Sequence, residues 1–366
     1  MNKNKLNENI LNKVNILNSK LNEKYFIFCK NYEKTKKILD FNKFFYKNYR
    51  FANCFLVDAD FDDLNFLSDQ EEISYINSND IVSTYGTEQK LIDIEKFTEN
   101  KYLGQGQTIC FIDTGIQPHF DFIFPKNRII KFVDFINNSN SPYDDNGHGT
   151  FVSGIACGNG IFSKTNIGYA PKSNIISLKA LSKNGNADSN IILDAMEWVY
   201  QNHKNFNIGV VCMSFGAESN KFDALSMGAE TLWKSGITVV AAAGNSGPKF
   251  NTIKSPGNNS YVITVGALDI SQMNVANFSS RGPTIYGHKP DLIAPAVNIT
   301  SCNNFGVPYT NMSGTSVATP IVAGICADIK SKYPNITNNE IKKFLTSHCT
   351  KITGNLDIEG AGYLNF

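Results

Sequence analysis

Apolar residues from position 108 onward come in near-continuous blocks, at 108–112, 175–180, 210–213, 238–243 and 261–265. A block without a polar face is the pattern of a strand covered on both sides. Helical periods at 189–202 and 222–234 separate several of the blocks. Buried strands alternating with helices predict an α/β domain around a mostly parallel sheet. Residues 24–85 have another texture: an aromatic strand at 25–29, a Lys-rich helix at 32–39, a strand at 54–57, a helix after Asp62 and a short strand at 74–76. That predicts a small α+β unit. The predicted organisation is a polar extension at 1–23, the small unit at 24–85, a linker at 86–100 and a large domain at 101–366, without internal repeats.

Composition narrows the class. Of the 366 residues 42% are hydrophobic and 18% charged, which excludes a disordered chain, and no apolar run reaches the length of a membrane span. Lys and Arg number 34 against 33 Asp and Glu, a net charge of +1. This balance lacks the basic excess of a nucleic-acid or anionic-membrane binder. The Lys- and Asn-rich N-terminus holds no apolar stretch of secretory type, so a cytoplasmic protein is expected. Eight scattered cysteines without a CxxC pair read as reduced core residues and not as zinc ligands.

Candidate chemistry lies in four short stretches. The first strand runs into Asp113-Thr114-Gly115, an acid where open α/β sheets place their sites, although a turn-capping aspartate looks the same. In Asp145-Asn146-Gly147-His148-Gly149-Thr150, a histidine between glycines precedes a helix-compatible run; other groups can approach it closely, and a capping loop is the alternative. Asn311-Met312-Ser313-Gly314-Thr315-Ser316-Val317-Ala318-Thr319-Pro320 sets Ser316 at a helix start, where unpaired N–H groups favour developing negative charge, or where serine simply caps. A buried strand ends in Ala242-Ala243-Gly244-Asn245, whose amide can face an oxyanion or form a turn.

Asp-Thr-Gly, His-Gly-Thr and Gly-Thr-Ser-x-Ala-x-Pro, in that order and with Ala-Ala-Gly-Asn before the serine, resemble the subtilisin-like serine proteases, the subtilases. The likeness covers residues 24–366, and the Tyr143-Asp144-Asp145-Asn146-Gly147-His148-Gly149 stretch is most similar to the intracellular AprX-type branch. It implies a three-layer catalytic domain with a mostly parallel sheet flanked by helices, preceded by a small α+β propeptide that acts as the enzyme's own inhibitor. It further implies Ser316 as nucleophile, His148 as general base, Asp113 as its orienting carboxylate and Asn245 as oxyanion donor. Ser214-Phe215-Gly216 resembles the edge that pairs with substrate backbone, and Ala242-Ala243-Gly244 one wall of the main specificity pocket. A pocket of small residues, with its floor near Ser255-Pro256-Gly257, is expected to take large apolar or aromatic side chains from peptide or protein substrates. Self-processing is expected between Tyr85 and Gly86.

Three positions depart from the family pattern. Val317 stands where methionine is common, Phe151 where a second histidine is frequent, and the Asn-rich calcium loop is not recognisable in residues 157–168. The chemistry needs no cofactor and no catalytic metal; a structural calcium is the open question, with Asp121 read as an exposed loop residue or as a ligand. Two other readings remain, a dedicated maturation protease for one precursor and a catalytically silent subtilase fold with a regulatory role.

Overall fold

The computed structural model describes residues 2, 5–6, 23–49, 54–78, 102–219 and 224–364. Two compact units divide the chain, Met1–Thr84 and Tyr85–Phe366. The first runs β1 (Glu23–Cys29), α1 (Tyr32–Phe41), β2 (Tyr46–Tyr49), β3 (Cys54–Ala59), α2 (Phe61–Asp69) and β4 (Ile73–Ser78). Its sheet order, β2-β3-β1-β4, with β1 antiparallel to both neighbours, is that of a split βαβ unit. Asn31 caps α1 by accepting the Lys34 N–H, and Asp60 with Asp63 forms a capping box on α2. Ile27, Leu39, Phe55, Val57, Leu67, Ile73 and Ile76 form a closed apolar core. The expected elements are present, and β2 is an addition.

The second unit contains β5 (Thr108–Asp113), α3 (Phe120–Ile123), β6 (Ile129–Asp134), α4 (His148–Cys157), β7 (Asn174–Lys179), α5 (Ser189–Asn202), β8 (Ile208–Met213), α6 (Ala224–Lys234), β9 (Thr238–Ala242), β10 (Ile263–Asp269), β11 (Asn274–Val275), β12 (Leu292–Pro295), β13 (Ile299–Cys302), β14 (Tyr309–Met312), α7 (Thr315–Lys332), α8 (Asn338–Ser347), β15 (Cys349–Thr350), α9 (Leu356–Glu359) and β16 (Tyr363–Leu364). The main sheet is ordered β6-β7-β5-β8-β9-β10-β12-β16-β15, parallel from β6 to β16. Every residue of β5 and β9 is buried, as their unbroken apolar runs require. Edge strand β6 instead leaves Ile130 and Lys131 exposed and carries Lys131 and Asp134, so its weak signal follows from having one neighbour.

Helix α7 is buried along most of its length and packs on α4 and on β8, β9 and β10. Val317 is buried within it, and Phe151 is fully buried on α4, so both departures serve the core. Pro320, one turn after Ser316, has no N–H to donate to the Ser316 carbonyl. Six of the cysteines are buried and free, and Cys349 is half-buried. No helix among the described residues is long and apolar enough to cross a membrane.

Candidate active site

Strand order reverses at β5: the chain lays β6 and β7 on one side of it, then crosses to β8 on the other. Open α/β sheets form their crevice outside the carboxyl ends of the strands at such a point. Asp113 ends β5, Ser214 follows β8, and Asn245 follows β9. Thr114, His148, Ser214, Asn245 and Ser316 line one cleft of about 420 Å³ there. Four stretches scattered over two hundred residues therefore converge.

Asp113 is buried, whereas His148 keeps 24% of its side chain exposed toward the cleft. Asp113 Oδ1 lies 2.8 Å from His148 Nδ1 and accepts the Thr114 N–H at 2.7 Å. An oxygen already accepting a backbone N–H serves His148 as a second acceptor, which assigns the proton to Nδ1 and leaves the Nε2 lone pair for chemistry. Asp113 Oδ2 is buried without a hydrogen-bond partner among the described residues. Burial works against a charged His148, but the charge and hydrogen bond of Asp113, helped by the charge of Asp144, outweigh it and raise the imidazole pKa above its ordinary value. A Cβ on Gly149 would strike the Gly115 carbonyl, so glycine is what lets α4 start this close to β5.

Ser316 is the second residue of α7, behind a Gly314 cap whose φ of 155° is disfavoured for side-chain-bearing residues. A Cβ built on Gly314 would lie 3.0 Å from Ser316 Oγ and 3.3 Å from Asn245 Nδ2, so hydroxyl and amide flank one small space. The amide orientation is determined: Asn245 Oδ1 accepts the Thr315 N–H at 2.9 Å and its hydroxyl at 3.0 Å. With the oxygen held, Nδ2 is the group left to donate.

Asp144, not singled out from the sequence, ties these parts together. Its Oδ1 accepts Thr114 Oγ1–H and the Asn146 and Gly147 N–H groups, and its Oδ2 accepts the N–H and hydroxyl of Thr150. One buried carboxylate thus fixes the end of β5 against the first turn of α4, where the helix dipole favours an anion. Buried Lys179 adds a second tie, donating from Nζ to the Thr114 carbonyl and Asp145 Oδ1, each at 2.6 Å. Two adjacent acids before a helix start were the available sequence signal for Asp144 and Asp145.

Ser214, Phe215, Gly216, Ala242 and Gly244 line the cleft. Ala243 does not; it is buried and its carbonyl accepts the Lys254 N–H. The expected floor also shifts: Ser255 is buried, and it is the Lys254 side chain that lines the cleft. Tyr85 and Gly86 lie outside the described residues.

Asp121 corrects the expectation of an exposed loop acid, being fully buried. It sits with His119 and Cys302, three groups close enough together for a metal ion. The surroundings do not fit calcium. The Asp121 carboxylate accepts the Gly160 and Ile161 N–H groups, the Tyr309 hydroxyl and the Cys302 thiol, donors where calcium needs oxygens. His119 Nδ1 accepts the Asp121 N–H and its Nε2–H donates to the Pro308 carbonyl, so both ring nitrogens are engaged.

The Subtilase family profile (peptidase S8) matches residues 104–362. The serine protease AprX of Bacillus subtilis (strain 168) is 41% identical over a match covering 72% of this chain; the match spans 65% of AprX. Subtilisin DY of Bacillus licheniformis is 34% identical, covering 75% of this chain and 94% of that protein. Among solved structures, a cold-adapted subtilisin-like serine proteinase shares 30% identity with a TM-score of 0.60, over 72% of this chain and 89% of its own. Sphericase has 28% identity and a TM-score of 0.65, over 74% and 96%. A switch-point cleft that gathers the aspartate, histidine, asparagine and serine in family order agrees with these likenesses, and the chain belongs to the subtilase family of serine proteases.

Proposed function

We propose that the chain is a serine endopeptidase made as a self-processing zymogen. The observation that carries this is the 2.8 Å Asp113–His148 contact opening on the cleft that Ser316 and the Asn245 amide share. Ser316 Oγ bonds to the scissile carbonyl carbon while His148 Nε2 takes its proton. The carbonyl oxygen becomes an oxyanion, held by Asn245 Nδ2 and the Ser316 N–H at the positive end of α7. Collapse breaks the C–N bond, His148 returns the proton to the leaving amine, and water repeats the sequence on the acyl-enzyme. Asp113 stabilises the imidazolium throughout. The small βαββαβ unit, with its own core, acts as inhibitory propeptide, and the cut falls between Tyr85 and Gly86.

Two results test this reading in steady-state peptide hydrolysis. Asn245→Ala lowers kcat by about 10²–10³-fold with KM little changed, a range taken from the oxyanion amide of subtilisin itself. Activity also requires the neutral form of His148. Because its pKa is raised, kcat/KM falls on acidification through a midpoint above that of free imidazole. A midpoint at or below the free value would count against Asp113 as the charge facing His148.

A further inference from the structure

Lys254 occupies a position that the expected apolar pocket does not accommodate. Its N–H is fixed on the Ala243 carbonyl at 2.9 Å, and the adjacent Ser255 exchanges two 2.9 Å backbone hydrogen bonds with Ala217. The segment is thereby wedged between the Phe215-Gly216 wall and the Ala242-Gly244 wall. The stem crosses between them: a Cβ on Gly216 would lie 2.6 Å from Lys254 Cβ, and one on Gly244 would lie 2.5 Å from its Cγ. Beyond the stem the ammonium pairs with Glu218, whose side chain is 84% exposed against 18% for the lysine. An ion pair with so exposed a partner is weak and easily exchanged. Among the described residues lining the cleft, Lys254 is the one lysine or arginine, and no aspartate or glutamate is among them.

We propose that Lys254 forms the pocket floor and selects, on the acyl side of the scissile bond, a side chain ending in an oxygen acceptor. Glutamate ranks first, because its carboxylate replaces Glu218 as the partner of the ammonium inside the cleft. Tyrosine follows through its hydroxyl, which keeps Tyr85 acceptable at the processing bond. Phenylalanine brings no acceptor and meets the lysine stem, while lysine meets a like charge whose one carboxylate partner, Glu218, is already paired with Lys254 and lies outside the cleft lining. The inference rests on the serine endopeptidase reading and assigns the specificity of that same cleft.

The test uses four tetrapeptide p-nitroanilides that differ only in the residue before the scissile bond: Glu, Tyr, Phe or Lys. They are offered to the processed native protein, to Lys254→Met and to Lys254→Glu, with fluorophosphonate labelling to count competent sites in each. The native protein is expected to cut in the order Glu, Tyr, Phe, Lys. Lys254→Met lowers the ratio of kcat/KM for Glu over Phe by about 10- to 100-fold, the effect of removing a charged hydrogen-bond partner from a site built for it. Lys254→Glu brings the Lys peptide above the Glu peptide. A native preference for Phe over Glu overturns the proposal even if neither variant folds, as does an unchanged ratio in labelled variants. If the native protein takes no label and cuts no peptide, the endopeptidase reading itself fails and this inference falls with it; labelled protein with the wrong preference sinks only the role of Lys254.

Discussion

Ser316→Ala is expected to leave a full-length chain that hydrolyses peptides about 10⁶-fold more slowly than the native protein, a magnitude taken from the nucleophile of subtilisin itself. In the proposed mechanism Ser316 supplies the atom that bonds to the substrate, in the small space beside Gly314 that it shares with Asn245. Alanine fits the same helix position without strain, so the core around α7 stays as it is and the loss is chemical. The same substitution is expected to stop the proposed cut between Tyr85 and Gly86, and intact mass reports both consequences on one sample. A Ser316→Ala protein that still shortens itself in a purified preparation would place the cutting agent elsewhere.

Asp113→Asn is the next largest effect, about 10⁴-fold in kcat. The local bonding specifies its cause. Thr114 donates its N–H to Asp113 Oδ1, so an asparagine keeps its carbonyl oxygen there and still accepts from His148 Nδ1. What disappears is the negative charge that offsets the burial of the imidazolium. The acid limb of the pH profile therefore moves to lower pH as kcat falls. An unmoved limb with the same fall in rate would point to lost geometry in place of lost charge.

The proposed catalytic set was legible because each member sits in a short stretch whose local structure follows from its own residues. Gly149 lets α4 approach β5, Gly314 starts α7, and the apolar run of β9 ends where Asn245 begins. The buried strands were legible for a related reason, since β5 and β9 are covered on both faces and need no polar positions. Strand β6 was hidden because its apolar run is interrupted by Lys131 and leaves Ile130 exposed, and β2 because four residues carry little pattern. Asp144, Lys179 and Lys254 were hidden for a different reason. Their roles depend on tertiary contacts: beyond its local partners Asn146, Gly147 and Thr150, Asp144 meets Thr114 thirty residues away, and Lys254 acquires meaning only when the segments after β8 and β9 close around it. Asp121 resembled a surface acid because its partners, Gly160, Ile161, Cys302 and Tyr309, lie on segments remote in sequence.

Covalent labelling tests the central claim most directly. Native protein, freed of its first unit, is treated with a fluorophosphonate, digested and mapped by mass spectrometry beside Ser316→Ala. The expected result is a single adduct on the peptide containing Ser316, formed in proportion to the peptidase activity lost and absent from the variant. Full peptidase activity after exhaustive treatment, or an adduct on another serine that tracks the loss, would contradict Ser316 as the nucleophile.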